Sequence, residues 1–350
     1  VNQKLALGNR YGLHRVIEPP GSLPQAAKKV DNSLPLWDNE LLIDVDVLNI
    51  TSSAFARLKK EAKGSTEKIG EAIMQIVNER GKFQCPVTGA GGMLIGRIRQ
   101  AGPAFPGMAD LAEGDPVATL VSLSLTPLKI TSIKRIEADK DQVYIDGYAI
   151  LFESGIFCKL PEDIPRNLAL AILDVCGAPG HVAKLTKAGD FVVVIGAGKA
   201  GLLCLNEAMK RAKPTGLVLA ADADPSRCEA IKQLGLADAV LCADASRPVE
   251  IMNWVEEQTR GRMADLSVNT VNVESTEMAS ILSAKEHGTV LFFSMSTSFS
   301  KAALGAEGVG KVVNLLIGTG YTEGHVEIAL QALRENRKLR GYFEDFYSQR

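Results

Sequence analysis

Residues 191–212 read FVVVIGAGKAGLLCLNEAMKRA, and this stretch decides the fold. Phe191 to Ile195 is a short, continuous apolar run, the pattern of a strand buried on both faces. It passes directly into Gly196, Ala197, Gly198, Lys199, Ala200 and Gly201, a G-x-G-x-x-G turn, and then into a Leu- and Ala-rich helix over 199–213. Strand, glycines and helix in that order are the context that the dinucleotide fingerprint requires. Gly196 makes the tight turn, Gly198 lets the backbone approach a pyrophosphate, and Gly201 lets helix and strand pack closely. The N–H groups at the helix start then hold the phosphates. The fingerprint also expects an acid about 20 residues further on, after the second strand. Asp222 follows LVLAA at that spacing and is assigned to the ribose; Asp224 before Pro225 fits a helix N-cap.

Outward from this turn, strands alternate with helices. Strands are expected at 216–221, 239–242, 266–271 and 289–293, and helices at 167–175, 225–234, 248–259 and 277–284, with a charged helical end over 324–350. That alternation indicates βαβ units and a parallel sheet. Before residue 165 the texture differs. LLIDVDVLNI (41–50) alternates as a half-buried strand, 87–102 is a glycine-rich turn entering a strand, 117–125 reads as a strand, and a strand pair is expected around 142–152. A charged stretch, 52–80, reads as a helical insertion. The expected domains are 1–165, strand-rich; 166–322, the dinucleotide domain; and 323–350, a helix returning to the first domain.

The chain has 350 residues, 46% hydrophobic and 23% charged, with 39 basic and 41 acidic residues. These are ordinary globular values, and the balanced charge predicts no attraction to nucleic acid or an anionic membrane. No apolar run approaches the ~20 residues of a membrane helix. The first residues, VNQKLALGNR, lack the cationic and apolar pattern of a secretory signal, so the expected location is cytoplasmic. The six cysteines include no C-x-x-C pair, and no motif with metal-ligand spacing exists among them and the four histidines. No metal is expected. Cys176 reads as a small apolar filler.

A strand-rich half before a dinucleotide fold resembles the medium-chain dehydrogenases/reductases, and Gly114-Asp115-Pro116-Val117 is similar to the G-D-x-V turn of their barrel domain. Where zinc alcohol dehydrogenases of that superfamily carry Gly-His-Glu, this chain has Thr88-Gly89-Ala90-Gly91-Gly92, which speaks against a catalytic zinc. Five blocks give a closer likeness: YGLHRVIEPPG (11–21), PVTGAGGMLIG (86–96), LVSLSLTPLKI (120–130), FFSMSTSFSKAALGAEGVGK (292–311) and LLIGTGYTEGH (315–325). In these the chain resembles the L-erythro-3,5-diaminohexanoate dehydrogenases of lysine fermentation. The resemblance implies an α/β architecture, a Rossmann doubly wound parallel sheet with an N-terminal GroES-like β domain and the site in the cleft between them. It also implies oxidative deamination of a diamino acid substrate with NAD or NADP, and a homo-oligomer, commonly a dimer. Asp222 favours NAD, since a carboxylate repels a 2′-phosphate, while Arg227 keeps NADP open. The competing readings are a zinc-free NADPH ketone or quinone reductase and a non-catalytic NAD(H) sensor.

Removing hydride from an amine-bearing carbon needs a neutral amine, so a proton acceptor is required, and a carboxylate would stabilise the developing cation. Glu307, between glycines on what reads as a flexible loop after 289–293, is the lead candidate for binding a substrate ammonium; the alternative is a solvated carboxylate. Asp174, within LALAILDVCGAP, either caps a helix end or lines the cleft. Glu153, in LFESG, faces the cleft or ends a strand. Lys301 and Arg97 either hold a substrate carboxylate or are surface charges. Asn269 and Ser294 fall at strand ends where this architecture contacts the cofactor. His181 is expected to start the helix leading to Phe191. His14 and Arg15 have no legible role.

Overall fold

The structure, a computed structural model, describes residues 5–109, 111–294 and 296–348. The chain divides after Leu170 into two compact units. The first contains β1 (Val16–Glu18), β2 (Lys29–Val30), β3 (Glu40–Ile50), α1 (Ser52–Glu61), α2 (Thr66–Arg80), β4 (Gly92–Ala101), β5 (Pro116–Thr119), β6 (Leu128–Glu137), β7 (Gln142–Phe152) and β8 (Phe157–Lys159), and α3 (Arg166–Leu173) spans the division. Strands β6-β7-β3-β4-β5-β8 form an antiparallel sheet, with β3 between β7 and β4. That central place buries Ile43, Val45, Leu48 and Ile50 together with residues of both sheet faces, so 41–50 is covered more fully than its alternation predicts.

Two expectations here fail for local reasons. The strand expected over 117–125 stops at Thr119, because Ser122 and Ser124 turn the chain: the Ser122 hydroxyl accepts from Ser124 N, and the Thr126 hydroxyl donates to Ser122 O. β6 is absent from the sequence reading because irregular register between Ile130 and Ser132, and again between Ile133 and Arg135, breaks the period of two. Its isoleucines at 130, 133 and 136 then match no strand template.

The second unit contains α4 (Gly177–Leu185), β9 (Phe191–Ile195), α5 (Lys199–Ala212), β10 (Leu217–Asp222), α6 (Pro225–Leu234), β11 (Ala239–Cys242), α7 (Pro248–Thr259), β12 (Ala264–Asn269), α8 (Glu277–Ser283), β13 (Ala284–Phe292), α9 (Phe299–Gly308), β14 (Asn314–Ile317), α10 (His325–Glu335) and α11 (Arg337–Ser348). Its sheet is parallel throughout, in the order β11-β10-β9-β12-β13-β14. The strand order reverses between β9 and β12, which is where such sheets bind ligands beyond their carboxyl ends. β14 has no counterpart among the expected strands: it is four residues long and exposed along its whole length, so no burial pattern marks it.

The C-terminal segment is two helices, broken at Asn336, whose side chain caps the second by accepting from Leu339 N. Within the second unit α10 buries Val326, Ala329, Leu330 and Leu333, packing on α4 and α5. Gly180 makes that packing possible, since a Cβ there would lie 2.7 Å from Thr322 and 2.9 Å from His325. Lys210–Glu335 and Asn206–Asn336 contacts tie the same surfaces. No single described helix is long and apolar enough to cross a membrane.

His14 and Arg15 find their role in the first unit. Arg15 grips buried Glu40 with two bonds of 2.6 Å, while its other N–H groups reach the carbonyls of Ser33 and Pro35. His14 Nε2 and Trp37 N also bond the Glu40 carboxylate. Burial alone would raise the pKa of Glu40, but the Arg15, His14 and Trp37 bonds outweigh it and hold the group below its ordinary value. Its contribution to stability is therefore full above the ordinary carboxylate range and is lost as pH falls through the lowered folded value. Breaking a buried pair costs about 3–5 kcal/mol, so Glu40→Gln should lower the melting temperature by roughly 10 °C at pH 7. In the same melting series from pH 7 downward, the gap between variant and native protein should narrow.

Candidate active site

The glycine turn is built as a close contact between β9 and α5. Gly196 has φ +95°, donates to Ala221 O at 2.8 Å, and its own carbonyl accepts the Thr270 hydroxyl at 2.9 Å. A Cβ on Gly201 would stand 1.9 Å from that carbonyl, so no side chain fits. Gly198 is different. Its φ of −70° suits any residue, and a Cβ there would meet nothing within 4 Å. No neighbouring atom crowds position 198, so the glycine there leaves the backbone open to close approach. The first turn of α5 has N–H groups without intrahelical acceptors and carries positive dipole charge. These features fit the pyrophosphate of a dinucleotide.

Asp222 ends β10 beside this turn, 7% exposed. One carboxylate oxygen accepts from Ala197 N at 2.6 Å and the other from Asp224 N at 2.8 Å, which locks the group in place. Asp224 caps α6 by accepting from Ser226 N. The Arg227 guanidinium lies 3.8 Å from each of the two acids. Asp174, in the turn before α4, is half-buried and pairs with Lys199 Nζ at 3.3 Å. Because α4 leads back to the start of β9, its first residues sit at the carboxyl edge. Asp174, Lys199, the glycine turn and Asp222 therefore come together at one edge of the sheet.

Other expected residues are placed elsewhere. Glu307 is exposed on the last turns of α9, a helix rather than a flexible loop. That helix runs back along the sheet, and Lys311 and Val312 just after it bond Leu282 at the end of α8 and Glu286 near the beginning of β13. Glu307 thus stands toward the amino edge of the second unit's sheet, about 12 Å along the helix from Phe299. Asn269 is fully buried, and its amide bonds Thr276, Ser280 and Val271 N. It braces the 270–276 loop from within. Ser294 is at the carboxyl edge, with its hydroxyl on Asn272. Glu153, in the first unit, accepts from Asn39 at 2.9 Å and stands 4.0 Å from Arg10, so it anchors the N-terminal segment.

Lys301 reaches Ser275, and Arg97 reaches Gly114 O. His181 is in the second turn of α4, not at its start; its Nε2 lies 3.1 Å from Thr319 O, and burial lowers its pKa. Thr270, which the sequence reading passed over, clamps the glycine turn; its one signal is its place directly after the strand that ends at Asn269. Among the described residues, no group of three His, Cys, Asp or Glu side chains is arranged to hold a metal ion. The contrast between the two glycines is testable. Gly198 is the N-cap of α5, so Gly198→Ala should cost no more than about 1 kcal/mol of stability while weakening a dinucleotide about tenfold or more in a fluorescence titration. Gly201→Ala should cost about 1–3 kcal/mol in denaturant unfolding, because the methyl forces backbone apart.

Comparison with known proteins agrees with this geometry. Residues 14–161 match the family described as the L-erythro-3,5-diaminohexanoate dehydrogenase N-terminal domain. An L-erythro-3,5-diaminohexanoate dehydrogenase from Acetoanaerobium sticklandii is 53% identical over 97% of this chain and 99% of its own length. One from Fusobacterium nucleatum subsp. nucleatum is 50% identical over the same shares. Among solved structures, galactitol-1-phosphate dehydrogenase from Escherichia coli superposes with a TM-score of 0.54 at 18% identity, covering 91% of this chain and 92% of its own. The crystal structure of AibC gives 0.53 at 17%, with the same coverage. At such identity these two establish the fold alone: a Rossmann domain following a GroES-like domain. The chain belongs to the L-erythro-3,5-diaminohexanoate dehydrogenase family.

Proposed function

We propose that this protein oxidatively deaminates L-erythro-3,5-diaminohexanoate, with water and NAD⁺, to 5-amino-3-oxohexanoate, ammonium and NADH. The observation that carries the reading is the near-full-length likeness to named dehydrogenases of this substrate, joined to a glycine at 198 that leaves the backbone open to close approach. When bound, the nicotinamide supplies the hydride acceptor. The chain's own contribution begins with holding: the α5 amino terminus takes the pyrophosphate, and the Asp222 carboxylate accepts the ribose hydroxyls. Asp222 would repel a 2′-phosphate, and the Arg227 charge faces two carboxylates, which supports NAD over NADP.

The substrate amine must lose a proton before hydride leaves its carbon, and water must then attack the iminium carbon. Of Glu307, Asp174 and Glu153, the acids considered for the chemistry, Asp174 is at the ligand edge of the second unit, and we assign it the proton transfer, with Lys199 holding its carboxylate in place. Absorbance of NADH, with NAD or NADP and the diamino acid in parallel, tests the reaction. Reduction that needs the diamine and releases matching ammonium supports it; NADH binding without any reduction overturns it. Asp174→Asn should lower kcat by about 10²–10⁴-fold with NADH affinity nearly unchanged. An unchanged kcat would remove Asp174 from the chemistry.

We also propose a homodimer formed through β14. This edge strand exposes Leu315 (37%), Leu316 (36%) and Ile317 (63%), on both faces of the sheet, and its outer edge is unpaired among the described strands. A continuous apolar run belongs to a covered strand. Antiparallel pairing of β14 with its copy satisfies both edges at once and closes by a two-fold axis. Light scattering should give twice the chain mass, and Ile317→Lys should shift it toward one chain; native protein at one chain mass throughout the micromolar range would refute the pairing.

A further inference from the structure

Two thiols at the ligand edge have no part in the proposed reaction. Cys228, on α6, is 3% exposed; its Sγ donates to Asp222 O at 3.3 Å and lies 3.7 Å from Leu241 O. Cys242 ends β11, is exposed, stands opposite Asp222 in the strand ladder, and has its Sγ 3.9 Å from Ala223 O. Both sulfurs therefore converge on consecutive carbonyls of the segment that carries Asp222. They also act on one another: burial first, and then the Cys242 thiol, pushes the pKa of Cys228 up to about 11.

We propose that Cys228 and Cys242 are a dithiol that a hydroperoxide converts to a disulfide, and that dinucleotide bound beside Asp222 shields it. The shielding half rests on the cofactor reading above; the disulfide half does not. Cys242 is the accessible partner and reacts first. Its sulfur attacks the O–O bond of hydrogen peroxide and becomes a sulfenic acid, while the second oxygen leaves as water. The Cys228 sulfur then attacks the sulfenic sulfur, the S–S bond forms, the S–O bond breaks, and a second water leaves with the Cys228 proton. Each sulfur loses one electron, and the peroxide is reduced to two waters. Cys228, buried away from solvent, does not meet the peroxide first and serves as the resolving sulfur.

The product has a consequence for the site. It removes the S–H donor from Asp222 O and ties α6 to β11, while α6 carries Asp224 and Arg227 beside Asp222. Losing one hydrogen bond and shifting this helix should weaken NADH about five- to tenfold. The test treats the full chain with hydrogen peroxide, with and without saturating NADH, then alkylates free thiols and maps peptides by mass spectrometry. A peptide pair linked through 228 and 242 and two hydrogens lighter is expected, reversed by dithiothreitol and absent from Cys228→Ser and Cys242→Ser. Its formation should slow several-fold with NADH bound. Oxidation of Cys242 to a sulfinic acid while Cys228 still alkylates would overturn the disulfide. Equal rates with and without NADH would overturn the shielding, and NADH fluorescence on the same untreated protein separates that outcome from failure of the cofactor reading.

Discussion

The approach of α5 to the end of β9 is the constraint on which the second unit depends. With Gly196 O where a Gly201 Cβ would stand, helix and strand touch backbone to backbone, and the helix dipole is aimed past the turn. Everything at the ligand edge refers to that contact. Thr270 clamps it from β12, Asp222 from β10 through the Ala197 N–H, and Lys199 carries it to Asp174 before α4. Three chain segments far apart in sequence are held by bonds to one six-residue turn. Of the three glycines in the turn, Gly198 alone has no atom within reach of a Cβ.

The first unit solves a different problem. Its N-terminal residues form little regular structure, and they are fastened by a buried ion pair instead of a long strand pairing. Arg15 spends its donors on Glu40 and on two loop carbonyls, so a single guanidinium organises the chain from 13 to 40. A buried charge is costly unless every donor is met, and here the donors are met by local backbone. This gives His14 and Arg15 a structural reason to stand in a recognisable sequence block.

Sequence reading succeeded where one short segment contains the whole cause. The β9 run, the glycines and Asp222 lie within about 30 residues of one another, and each residue's place in strand, turn or helix follows from local geometry. It failed where burial or direction depends on partners. Glu307 looked like a loop acid because glycines flank it; the helix that carries it is fixed by Ala302 and Ala306 packing inward, and its direction sends the acid away from the ligand edge. Asn269 was correctly placed at a strand end, yet its amide is consumed by Thr276 and Ser280, which no spacing rule foresees. β6 was hidden by irregular register, and β14 by having neither face covered.

By itself, the sequence determined the doubly wound class, the position of the glycine turn, the acid that ends the second strand beside it and the family resemblance, because these are written in contiguous residues with a local period or turn. The tertiary structure decided which acids reach the ligand edge, where the C-terminal helices pack, and what His14, Arg15, Asn269 and Glu153 do. Those outcomes depend on distances between segments separated by 20 to more than 100 residues, and hydrogen-bond saturation and helix direction are properties of the packed chain alone.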